Sequence, residues 1–97
     1  MSATAIGFAK CEKPARYIQQ LIKHWSHKFE TAYADGTGAV PFSDTNRATF
    51  TAAANGIEIR LETSDSESNQ RLRSVIESHI DRFAFREAPL QYEWSEA

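Results

Sequence analysis

The spacing of apolar positions switches between two residues and three to four residues along the chain, and each switch marks an element. Over "TAIGFA", residues 4–9, Ile6 and Phe8 share one side at period two, which predicts a short strand. The period then lengthens. In "EKPARYIQQLIKHWSHKF", residues 12–29, Ile18, Leu21, Ile22, Trp25 and Phe29 fall in one narrow arc at about 100° per residue, the pattern of an amphipathic helix. Pro14 suits its first turn, where a missing N–H would have had no partner. Arg16, Gln20, Lys23 and His27 take the opposite side, and Tyr17, His24 and Lys28 line one flank.

Short periods return in the middle. "TAYADGTGAVPF", residues 31–42, reads as two strands about a turn at Asp35–Gly38. Pro41 cannot donate to a ladder, so the second of these strands is expected at an edge or with a bulge. "RATFTAAANGIEIRLET", residues 47–63, reads as a hairpin with a type I′ turn at Asn55–Gly56. Ile57, Ile59 and Leu61 point inward, and Phe50, Ala52 and Ala54 face the same core. The small alanines leave room for a large side chain from a helix.

"SDSESNQRLRSVIESHIDRFAF", residues 64–85, is the second helix, with Leu72, Val75, Ile76, Ile80 and Phe83 as its apolar arc. Ser64 with Glu67 fits a capping box; Asp65 or Ser66 are the other caps on offer. After Pro89, Leu90, Tyr92 and Trp94 alternate with Gln91 and Glu93, which predicts a last strand with an aromatic inner face. The expected order is β-α-β-β-β-β-α-β. The expected fold class is α+β: a single domain over residues 1–97, built as a two-layer sandwich of mainly antiparallel sheet with both helices on one face. The sheet's other face is left to solvent or to a second copy, so a homodimer is one reading.

Composition narrows the function classes. The chain of 97 residues is 41% hydrophobic and 25% charged, which is ordinary for a globular protein. No apolar run approaches the ~20 residues that span a bilayer, and the first residues lack a basic segment followed by an apolar one. The expected address is therefore the cytoplasm. Cys11 is the only cysteine, so there is no intrachain disulfide and no cysteine-based zinc site. Residues 1–29 carry a net charge of +4 and residues 58–97 a net of −4, an asymmetry able to steer an anionic ligand to one face. A pI of about 5.9 argues against a nucleic-acid binder.

Candidate chemistry centres on the histidines. His79 falls inside the second helix's apolar arc, between Val75 and Phe83, and His24 lies on the flank of the first helix. If the helices lie side by side, both rings face one groove, with Tyr17, Lys28, Arg82 and Arg86 along its rim. Such a groove suits an anionic ligand, which lysine and arginine would neutralise. It is also the one place for a metal, with His24, His27 and His79 as candidate ligands, although no local spacing completes a ligand set. The plainer alternative is that His24 bonds a backbone or carboxylate group and His27 is solvated. A small enzyme with His79 as acid–base is a further reading, as is an interaction domain. No cofactor and no catalytic residue is indicated.

Three stretches carry a family resemblance: "ARYIQQLIKHWSHKF", "ATFTAAANGIEIRLET" and "LRSVIESHIDRFAFRE". Together, and above all through K-H-W-x-H-K-F and H-x-x-R-F-A-F-R-E, the chain resembles a family of small bacterial proteins, the domain-of-unknown-function family numbered twenty-two-eighteen. The resemblance implies a stand-alone α+β domain without an established activity. It also implies a link to siderophore-interacting proteins, and so to a ferric-siderophore ligand or a siderophore-interacting reductase as partner. The family pattern includes His24, His27, Lys28, His79, Arg82, Phe83 and Arg86 as they stand here.

Overall fold

The structure, a computed structural model, describes residues 2–97; Met1 lies outside the described residues. In chain order the elements are β1 (Ala3–Lys10), α1 (Pro14–Trp25), β2 (Ala32–Ala34), β3 (Thr37–Pro41), β4 (Arg47–Ala53), β5 (Gly56–Thr63), α2 (Ser66–Phe83) and β6 (Tyr92–Glu96). The six strands form one antiparallel sheet in the order β2-β3-β4-β5-β1-β6, and both helices pack on the same face. The expected element order and α+β architecture are what the chain adopts.

The core lies between the layers. Ala48 and Phe50 of β4 pair with Leu61 and Ile59 of β5, so one face of the hairpin is continuously apolar. Ile18 and Leu21 of α1 and Ile76 and Ile80 of α2 seal that face completely. Each large side chain so buried stabilises the fold by about 1.5–3 kcal/mol. From α1 the Trp25 indole stacks near Phe50, with ring centroids 5.9 Å apart. On β1 the inward positions are Ala5, Gly7 and Ala9, while Ile6 and Phe8 lie on the helix-free side of the sheet. Tyr92 and Trp94 point inward on β6, as their alternation implies. The tyrosine hydroxyl donates to Asp81 at 2.6 Å and the indole N–H to Glu77 at 2.7 Å, which clamps β6 under α2.

Several local expectations are corrected. The first hairpin turns at Asp35–Gly36, both at positive φ, rather than across Asp35–Gly38. Gly38 is a strand residue lying directly under Ile22, and a side chain there would block the approach of α1. β3 is not an edge strand. β2 covers it only through Ala39, so Pro41 falls beyond the end of β2, where its missing N–H costs no ladder bond.

In the second hairpin Ala53 pairs with Gly56, so the loop is Ala54–Asn55 and Ala54 is exposed instead of facing the core. Neither Asn55 nor Gly56 has positive φ, which excludes a type I′ turn. Gly56 is needed because the backbone of Ala9 and the ring of Phe8 crowd its Cα.

α2 is capped by Asp65, whose carboxylate accepts from Ser68 N–H at 2.7 Å, and not by a Ser64–Glu67 box. α1 stops at Trp25. The Ser26 hydroxyl donates to the Lys23 carbonyl, and the Lys28 and Phe29 N–H groups both turn back to Trp25 O. Phe29 still packs on the core from this turn.

Candidate functional site

α1 and α2 lie side by side, and their seam brings the two distant imidazoles together. The His24 and His79 ring centroids are 5.3 Å apart. Trp25 stands 4.9 Å from His79, and Phe83 stands 5.7 Å from His24 on the other side. With His27, Lys28, Phe29, Phe42, Leu72 and Val75, the two histidines and Trp25 line an open depression of about 590 Å³. That volume falls in the range of small-molecule sites, and most of the lining is apolar or aromatic, as such sites usually are.

The two histidines are held differently. His79 Nδ1 lies 2.7 Å from the Val75 carbonyl, so Nδ1 carries the proton and donates. Nε2 is then the ring's acceptor whenever the imidazole is neutral. His24 has no side-chain hydrogen bond among the described residues, so it is not tied to a backbone or carboxylate group. Its pKa is lowered, first by partial loss of water around the ring, then by the positive potential of His79, Arg82 and His27. At neutral pH His24 therefore meets its neighbours uncharged.

His27 sits in the turn after α1 and is exposed, on the wet rim of the depression. His24, His27 and His79 do not combine into a metal site: among the described residues no three histidine, cysteine or carboxylate groups converge.

The single groove drawn from helical phase is two depressions. The rings of His24 and Phe83 meet across the seam and divide it. Lys28 belongs to the histidine side. Arg82 is exposed and acts on His24 through its charge. Tyr17 and Arg86 line a separate cleft of about 390 Å³ with Glu12, Lys13, Arg16, Gln20, Phe83, Phe85 and Glu87.

Tyr17 acts there as a fastener as well as a lining residue. Its hydroxyl donates to Glu87 Oε2 at 2.5 Å, and Glu87 Oε1 accepts the Glu12 N–H at 3.0 Å. The hydrogen bond to Glu87 pushes the Tyr17 pKa up to about 12, with burial and the carboxylate's charge adding to it. Glu87 also supplies what α1 lacks. The helix starts from Lys13 and Pro14 with no side-chain cap and no acid in its first turn, and the carboxylate from the far end of the chain faces that positive terminus. An uncapped "KPAR" start is the sequence signal that such an acid must come from elsewhere.

A third cleft, of about 620 Å³, lies between Lys10–Glu12, Ala54–Asn55 and Glu87–Gln91. Its one nucleophile, Cys11, is buried and its thiol is pushed up to about 11, by burial first and the Glu87 charge second. It is a packed thiol, not a reactive one.

Among the described residues no helix is long and apolar enough to cross a membrane. None of the curated proteins matches the chain. The NMR structure of PA4090 from Pseudomonas aeruginosa is similar, with a TM-score of 0.80 and 27% identity over 96% of this chain and 95% of that one. A family model described as an uncharacterised protein conserved in bacteria matches residues 7–95. With nearly its whole length matched, this chain belongs to that bacterial family, DUF2218.

Proposed function

We propose that the protein is a small ligand-binding module whose site is the depression holding His24 and His79. The observation that carries the proposal is the pairing of two imidazoles, 5.3 Å apart, at the edge of an open aromatic wall made by Trp25, Phe29 and Phe42. An ordinary helix seam would fill this space with side chains. The ligand class follows from the lining: a flat, largely apolar body to lie against the rings, with an anionic group toward Lys28 and the histidines. His79 Nε2 would accept a proton from a ligand hydroxyl. The family resemblance adds ferric siderophores built on aromatic chelating groups to this class, with a siderophore-interacting reductase as the implied partner.

Tryptophan fluorescence tests the reading. In a Trp94→Phe background the only indole is Trp25, which lines the depression. Titration with ferric catecholate chelates and with small aromatic carboxylates is expected to change its emission saturably, and His24→Ala with His79→Ala is expected to remove the change while leaving the far-UV spectrum intact. Flat titrations with every compound of both sets would end the proposal.

A further inference from the structure

The cleft on the other side of the His24–Phe83 contact has features that the fold itself does not use. Lys13, Arg16 and Arg86 line it, and none of the three has an ion-pair partner among the described residues. Gln20 also lines it, and its Oε1 is buried without a hydrogen-bond partner among the described residues, whereas buried polar atoms are normally satisfied. Phe85 is 70% exposed, the most exposed large hydrophobic side chain described, and the Arg86 guanidinium stands 5.9 Å from its ring centroid. The two carboxylates present do not cancel the cations. Glu87 keeps its charge while it accepts from the Tyr17 hydroxyl and the Glu12 N–H, so with Glu12 two carboxylates stand against three cations and the lining stays net positive.

Each of these groups lacks a partner of a definite kind. The cations outnumber the carboxylates and form no ion pair among the described residues, the amide oxygen lacks a donor, and the phenyl ring lacks a flat apolar surface. We infer that the cleft bounded by Arg16, Gln20, Phe85 and Arg86 is a second binding site, for a small planar aromatic acid that also carries an O–H or N–H donor. The acid lies between the guanidinium groups, the ring rests on Phe85, and the donor meets Gln20 Oε1 once the buried amide turns toward the cleft. This site stands apart from the histidine depression and does not depend on it.

Three probes separate the contributions: inorganic phosphate offers charge alone, benzoate offers charge and ring, and 4-hydroxybenzoate offers charge, ring and donor. Their binding is read from the Arg Nε–H and Gln20 side-chain amide signals by NMR, which the Trp25 emission does not report. The expected order of affinity is 4-hydroxybenzoate, then benzoate, then phosphate, with saturable shifts at Arg16, Gln20 and Arg86. Arg86→Ala is expected to weaken 4-hydroxybenzoate by about tenfold or more, the usual worth of a charged hydrogen bond.

Gln20→Leu is the variant that distinguishes a binding role from a packing role. It removes an unsatisfied atom, so stability should hold or rise while 4-hydroxybenzoate falls to the affinity of benzoate. Absence of saturable shifts, or equal shifts at the remote Arg60 and Arg71, would overturn the inference. So would a Gln20→Leu protein that binds 4-hydroxybenzoate as the parent does.

Discussion

Replacing Tyr17 by Phe removes one hydroxyl and nothing else, and the structure sets what that should do. The ring is 7% exposed and packs on the core, and phenylalanine keeps that packing. The lost contact is the 2.5 Å bond to Glu87 Oε2. A hydrogen bond to a charged group is worth about 1.5–3 kcal/mol. Glu87 keeps its second bond, to Glu12 N–H, and sits near solvent, so the lower end applies: about 1.5 kcal/mol. For a chain of this size that is a fall in Tm of about 6–12 °C. Urea unfolding of the parent, Tyr17→Phe, Glu87→Gln and the double variant gives the coupling directly, and its expected size is about 1–1.5 kcal/mol.

The pH dependence gives an independent check. Because the folded phenol is held up to about 12 against an ordinary 10, both states keep the proton below pH 10. Between those values the unfolded chain has lost it and the folded chain has not, so rising pH favours unfolding. The stability advantage of the parent over Tyr17→Phe should therefore be full below pH 10 and vanish as the pH approaches 12. Taking the difference cancels other alkaline titrations, Tyr92 included. A cost below about 0.5 kcal/mol with no coupling to Glu87 would refute the fastening role.

Two further outcomes follow from the geometry. Gly56→Ala puts a Cβ against the Ala9 carbonyl and 2.5 Å from Phe8 Cζ, so β1 and β5 must part, and chemical denaturation should show a loss of about 2 kcal/mol. The depressed pKa of His24 makes acid unfavourable: as pH falls through 6.5 the unfolded chain takes up the proton first, so the denaturation midpoint should drop as the pH falls below that value, and His24→Asn should flatten that slope.

The element order and the inner faces of β5 and β6 were legible because their signals are local; that of β1 was not, because its larger apolar residues Ile6 and Phe8 lie on the helix-free side. Ile57, Ile59 and Leu61 cannot be buried together except as one face of a strand, and the Ile18–Leu21–Trp25 arc has one helical solution. Turn positions were not, because glycine answers to two demands that look alike in a sequence. Gly36 supplies positive φ, whereas Gly56 supplies space for a neighbouring strand.

The end of α1 was misread for a related reason. Phe29 prolongs the apolar arc because it must reach the core, although the backbone has already left the helix. At the site, periodicity placed His24 and His79 in one neighbourhood correctly. It had no means of showing that His24 and Phe83 close the seam between them, nor that Tyr17 is bonded to a glutamate 70 positions away. Phe42 was invisible as a site residue because it comes from the loop after β3.

The place of β1 in the sheet governs when this chain can fold. Its two neighbours, β5 and β6, are both translated after it, and the pairing of Ala9 with Tyr92 joins residues far apart in the sequence. At ~5–20 residues added per second, the first strand waits on the order of ten seconds beside the ribosome before its last partner exists. Its inward alanines and glycine are small and weakly adhesive during that wait, which leaves Ile6 and Phe8 as the apolar side chains it must keep from other partners.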